Sequence, residues 1–203
     1  MNKKQTRKTA ALLAGLLAGP AAFAAQKTAP KVTITDISVE DNIYTPFYEA
    51  RTVLDHQQGS SQKWLQLHVE YTTEGGWIDE LTIDQSALVR EEGMPPVVVD
   101  EEVSYINIKP GDHYANVYMH PHLVERYGVD SYEVDTAAVI RINGKEVARA
   151  ETTKQAKKGW EADIDAIPHK GHLLSHDETP FWFINYDFKE IIKKDQHRHG
   201  REK

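Results

Sequence analysis

Lys63-Trp64-Leu65-Gln66-Leu67-His68-Val69-Glu70-Tyr71-Thr72-Thr73 sets the fold class, because its apolar and polar residues alternate strictly. Leu65, Leu67, Val69 and Tyr71 fall on one side of an extended chain and Gln66, His68, Glu70 and Thr72 on the other, the pattern of a strand with one buried and one wetter face. Upstream, Val32, Ile34, Ile37 and Val39 begin an earlier strand whose alternation slips at Asp36, which predicts a bulge or register change there. Downstream, Glu74-Gly75-Gly76 supplies a turn before a strand over Trp77–Ile83 and Ala87–Arg90, broken near Asp84.

Farther on, Pro95-Pro96 interrupts the chain, since proline has no N–H to donate and restricts the residue before it, and a new strand begins at Val97. Pro110-Gly111 reads as a hairpin turn between Val103–Ile108 and Tyr114–Met119. Asn143-Gly144 is the stronger hairpin signal, between Ala137–Ile142 and Lys145–Ala150, because a type I′ turn needs positive φ at both central residues. Between them, Pro121–Tyr127 predicts a short helix with proline in its first turn and Gly128 as its stop. A last strand is expected over Pro180–Phe188, with Trp182, Ile184, Tyr186 and Phe188 on one face and Phe181 and Phe183 on the other. Seven to nine short strands with one or two short helices predict an immunoglobulin-like antiparallel β-sandwich, with a closed barrel as the alternative of equal strand count.

The N-terminus reads differently. Lys3, Lys4, Arg7 and Lys8 precede an apolar run from Ala10 to Phe23, broken by Gly15, Gly19 and Pro20 and closed by Ala22-Phe23-Ala24. This is the pattern of a cleavable Sec-type signal peptide over residues 1–25, too short to span a bilayer. The expected address is the periplasm, the outer-membrane periphery or the cell surface, with no integral membrane segment after cleavage. The remaining 26–192 are expected to form one domain, and the polar run 193–203, with His197 and His199, a disordered tail.

Composition narrows the function. The chain carries 24 basic and 31 acidic side chains for a formal charge of -7, and loss of the four basic residues of the signal makes it more acidic still. An acidic surface repels phosphate backbones, so nucleic acid is excluded as a natural partner. Absence of cysteine removes lipoprotein acylation, disulfides, thiolate metal sites and cysteine nucleophiles. The chain also contains no Gly-x-Ser-x-Gly elbow, no phosphate-binding glycine loop, no His-Glu-x-x-His and no EF-hand loop, and it is read as a non-enzyme that needs no cofactor.

Histidine, at 10 copies, is the chemically suggestive residue. His169, His172 and His176 form a His-x-x-His-x-x-x-His run that suits zinc, copper or nickel, although Gly171 argues for a loop and solvated loop histidines are the favoured reading. His120 and His122 flank Pro121 and suit a strand end or helix start. Asp100-Glu101-Glu102 and Glu161, Asp163 and Asp165 offer oxygen ligands for calcium, but solvated strand-end carboxylates fit them better. Among the tryptophans, Trp182 reads as core and Trp160, beside Lys157, Lys158 and Gly159, as the one most exposed for sugar stacking.

Leu173-Leu174-Ser175-His176-Asp177-Glu178-Thr179-Pro180-Phe181, ahead of an aromatic-rich segment, resembles a family of secreted pilus-like proteins of Akkermansia and related Verrucomicrobia. The Glu178-Thr179-Pro180-Phe181 stretch carries the likeness, supported by Val32–Val39 and by Trp64–Tyr71. The resemblance implies an immunoglobulin-like sandwich similar to archaeal type IV pilin heads and association with a type IV pilus-like system, with no catalytic residues to transfer. A pilin proper keeps a long apolar helix after processing, which this chain would lose with its signal. The expected role is therefore an accessory, a periplasmic assembly factor or a surface-displayed head that meets envelope or pilus-system proteins, or its own copies, by pairing at an exposed sheet edge. The alternative is a ligand-binding domain for glycan or metal.

Overall fold

The computed structural model describes residues 29–46, 62–90, 93–129, 133–154, 156–184 and 190–194. The signal expected over 1–25 and the histidines of the tail lie outside the described residues. Among the described residues, ten strands form two sheets. One has the order β1 (Lys31–Tyr44), β2 (Lys63–Glu74), β5 (Gly111–Met119) and β9 (Leu174–Ser175). The other has the order β10 (Ile191–Ile192), β4 (Val97–Ile108), β3 (Ile78–Val89), β6 (Asp135–Ile142) and β7 (Lys145–Glu151), with β8 (His169–His172) beside β4. The two hydrogen-bonded orders are separate, which makes the fold a sandwich. All pairings are antiparallel except β8 with β4, which is parallel.

The core lies between the sheets and follows the alternation in sequence: Leu65, Leu67 and Tyr71 of β2 are buried against residues such as Leu81, Ile83 and Val103 of β3 and β4. In β1 the register shifts between Ile34 and Asp36, where the alternation slips, and again between Glu40 and Ile43, where Asn42 adopts φ 61°. α1 (Pro121–Tyr127) begins with proline in its first turn and ends at Gly128 in the left-handed region, as expected. His120 is its cap, the ring Nδ1 accepting the N–H of His122 at 3.2 Å.

Four expectations are corrected. β3 runs unbroken through Asp84, which pairs with Glu102 on one side and Val139 on the other and is held by Arg141 at 3.4 Å. The apparent break arises because Gln85 occupies an inward position in phase with Ile83 and Ala87; it is 1 % exposed, and both amide atoms lack a hydrogen-bond partner among the described residues. Asp100-Glu101-Glu102 is the middle of β4, not a strand end. Pro110-Gly111 does not close a hairpin, because β4 and β5 belong to different sheets and the turn carries the chain across the sandwich.

The strand expected over Pro180–Phe188 is replaced, as far as Ile184, by turns in which Trp182 N–H donates to Thr179 O at 3.2 Å and Ile184 N–H to Phe181 O at 2.9 Å. The Thr179 hydroxyl donates to His176 O at 2.8 Å and accepts Phe181 N–H at 3.3 Å, local bonds that compete with a ladder. Tyr186 and Phe188 lie outside the described residues.

Asn143-Gly144 does join β6 to β7, with φ of 52° and 73°. A Cβ added at Gly144 would meet nothing within 4 Å, so substitution there tests the backbone alone. Gly144→Ala is expected to lower stability by about 1 kcal/mol in urea unfolding, with Gly144→Asn losing less because asparagine tolerates the left-handed region; equal stability of all three proteins would contradict the assigned turn.

Candidate functional site

The wet face of β2 builds the site. The β2–β5 register sets Gln66 opposite Tyr118, His68 opposite Asn116 and Glu70 opposite Tyr114, so six side chains share the outer face of the four-stranded sheet. A polar relay runs across it. His68 Nδ1 lies 2.7 Å from Asn116 Oδ1, and Tyr118 Oη lies 3.3 Å from Nδ1 of His176. Asn116 and Tyr118 stand two residues apart on the same face of β5. His68 donates to the Asn116 oxygen, and Tyr118 shares its hydrogen bond with His176. Burial pushes the Tyr118 hydroxyl well above its ordinary value, outweighing the Asn116 amide that pulls it down, so the phenol keeps its proton.

One end of the relay is capped by a small core on this outer face. Phe181 stacks on Tyr118 at 4.8 Å and 14° and meets Trp64 edge-on at 5.4 Å. Trp64 is buried beneath it and donates its indole N–H to Thr45 Oγ1 at 3.0 Å. The Ser175–Phe181 motif holds this arrangement: Ser175 N–H donates to the Glu178 carboxylate at 3.0 Å, the Ser175 hydroxyl donates to Asp177 at 2.6 Å, and the Thr179 bonds turn the chain so that Phe181 points back onto the sheet. Ser175-His176-Asp177 is therefore a capped turn, with the histidine ring directed toward Tyr118. Burial beside Trp64, and the neighbouring His122 ring, lower the pKa of His120.

Two concavities flank the relay. The larger, about 380 Å³, is an open groove over Gln66, His68, Tyr114 and Asn116, walled by Glu40, Ile43, Tyr44, Phe181 and Ile184. The smaller, about 180 Å³, lies on the other side of Tyr114 and Asn116, between β5 and β10, and includes Tyr105, His176, Trp182 and Glu190. At its base Glu190 Oε1 is 2.5 Å from His113 Nδ1, while the other ring nitrogen donates to Lys109 O at 2.8 Å. His113 stacks on Tyr71 with centroids 5.1 Å apart.

The metal-ligand candidates are distributed over both sheets. His169 Nδ1 is 3.1 Å from Asp100 Oδ1 beside β4, His172 pairs its backbone with Asp100, and His176 faces Tyr118 beside β5. The His172 side chain lies outside the described residues; among those described, no three His, Cys, Asp or Glu residues come together to hold a metal ion. The second acidic group also spreads apart: Glu161 is buried and paired with Arg149, while Asp163 and Asp165 face solvent from the 3-10 helix Trp160–Ala166. Trp160 is buried, contrary to the exposure expected from its lysine neighbours, because it packs on Val98 and Ala137 and donates to Thr152 O at 3.0 Å. Trp182 is half-buried, and the exposed tryptophan is Trp77.

Sequence reasoning passed over Gln66, His68, Tyr114, Asn116 and Tyr118. The available signal was a wet strand face made of amides, imidazole and phenol.

A family model matches residues 23–196. The chain belongs to an Akkermansia pilus-like protein family. A crystal structure of a protein from Akkermansia muciniphila has a TM-score of 0.66 with this chain at 24 % identity, covering 82 % of this chain and 94 % of that one, and shares its sandwich fold. Comparison with curated proteins finds no match. The pilus-like family is pilus-associated and places the chain outside the cytoplasm. Among the described residues no helix is long and apolar enough to cross a membrane.

Two outcomes test the site. Phe181→Ala should cost about 3 kcal/mol in chemical unfolding, because it opens a cavity over Trp64 and Tyr118; a loss under about 1 kcal/mol would mean that the motif does not anchor this face. Burial raises the pKa of Tyr71, Tyr105 and Tyr118 above the ordinary 10.0. Below that value all three are neutral in both states; above it the unfolded chain releases protons that the folded one retains, so stability falls as pH rises. Melting temperatures measured from pH 8 upward should begin to fall for this reason above about pH 10, with phenolate absorbance from these residues appearing only on unfolding.

Proposed function

We propose that this chain is an exported, non-enzymatic module of the cell envelope that serves a type IV pilus-like system as a structural or interaction subunit. Export by the N-terminal signal at 1–25 and display in the periplasm or at the surface belong to the same reading. The observation that carries the interaction role is the position of β1, the long outer strand of the four-stranded sheet, which is hydrogen-bonded to β2 on one side and, among the described residues, to no strand on the other. Such an edge presents backbone donors and acceptors to an incoming strand, and main-chain pairing gives affinity without any specialised chemistry.

The other edges suit this less well. β7 is short and charged, and its Arg149 is engaged by Glu146 and Glu161. β5 is covered at Val117 and Tyr118 by β9. The register shifts of β1 divide its edge and leave Asp36–Glu40 as a continuously paired stretch, long enough for a partner strand yet too short for unlimited sheet growth. Partners of this kind are other pilus-system proteins or a second copy of this chain.

A photo-crosslinking residue at Thr33 or Thr35, both exposed on β1, should capture pilus-system subunits in the native envelope, and the same residue at Glu125 on α1 should not. Equal capture from both elements, or adducts lacking any pilus component, would remove the proposal.

A further inference from the structure

We propose that the groove on the outer face of the four-stranded sheet is a binding site for a neutral oligosaccharide, with Gln66, His68, Tyr114 and Asn116 as its polar floor. The inference does not depend on the pilus association. Its first support is the chemistry of the lining. Two amides, an imidazole and phenols offer paired donors and acceptors, the groups that match vicinal hydroxyls. Gln66 and Glu40 make no side-chain hydrogen bond among the described residues, so these two are available to a ligand.

Charge selects the class. Among the described residues no lysine or arginine lines the groove and Glu40 contributes a carboxylate, so phosphate, sulfate and sialic acid would meet repulsion from it. A purely apolar ligand would strip water from Gln66 and Glu40 without replacing their hydrogen bonds. A sugar satisfies both conditions, since its hydroxyls meet the floor and its C–H faces meet Tyr44 and Ile184, which are 54 % and 42 % exposed. The volume, about 380 Å³, lies within the range of small-molecule sites.

Backbone pairing does not compete here, because β2 under the groove is already laddered to β1 and β5. An added strand belongs at an edge, whereas this site is on a face. The floor is preorganised: His68 and Asn116 hold each other, and Tyr118 is held by His176 and the Phe181 ring, before any ligand arrives, which reduces the ordering cost of binding.

The test is a printed array of neutral and sialylated oligosaccharides probed with the purified protein, followed by saturation-transfer NMR titration of the strongest neutral trisaccharide. Neutral glycans should bind and sialylated ones should not. Gln66→Ala and Tyr114→Ala, each checked by circular dichroism for an unchanged fold, should each weaken binding about tenfold, the scale of a lost hydrogen bond or ring contact. Trp77→Ala, at the exposed tryptophan away from the groove, should leave binding unchanged. Binding to no neutral glycan, preference for sialylated ones, or binding that survives both groove substitutions would overturn the proposal. So would sedimentation showing that Gln66→Ala dissociates a dimer, since the groove would then be occupied by a second copy of the chain.

Discussion

The fold and the groove both depend on one constraint, the shared register of β2 and β5. Leu67 pairs with Val117 and His68 with Asn116, so a single alternation sends one set of residues into the sandwich and the other onto the outer face. A slip of one residue would exchange the sets, burying Gln66, His68 and Glu70 and exposing Leu65, Leu67 and Val69. Burial of those three aliphatic side chains holds the register, each contributing about 1.5–3 kcal/mol relative to exposure. The position of the polar relay is thus fixed by the hydrophobic effect acting on its neighbours.

The outer faces follow a second rule. Each sheet is partly roofed by a short irregular element that plants one aromatic ring: Phe181 over Trp64 and Tyr118 on one side, Trp160 over Val98 and Ala137 on the other. The sandwich therefore has apolar layers outside as well as between its sheets. On the four-stranded side Phe181 and Ile184 form one wall of the groove.

Features set by neighbours in sequence were legible. The β2 alternation, the slip at Asp36, the Pro121–Gly128 helix and the Asn143-Gly144 turn all rest on backbone chemistry within a few residues. What required the third dimension was not. Pro110-Gly111 marks a reversal but cannot say whether the chain returns beside itself or crosses to another sheet. Gln85 looks like a break because a buried polar residue is rare, and here the strand tolerates it. Phe181 to Ile184 looks like a two-sided strand because a turn over an apolar face also needs consecutive aromatics. Trp160 looks solvated because its lysine neighbours hide the Val98 surface beneath it. The spacing of His169, His172 and His176 could not reveal that β8 and β9 join different sheets. The groove stayed hidden because a wet strand face is ordinarily just solvated.

β1 and β10, the first and last of the described strands, lie in different sheets, and their attachments are unequal. β1 is zipped to β2 along nearly its whole length, whereas β10 meets β4 through Ile191 and Ile192, helped by the contacts of Glu190 with His113 and Lys193 with Glu80. Among the described residues β10 therefore has fewer pairings to lose than β1, and it opens locally at a lower free-energy cost than β2 and β5, which hold the sandwich and its outer face.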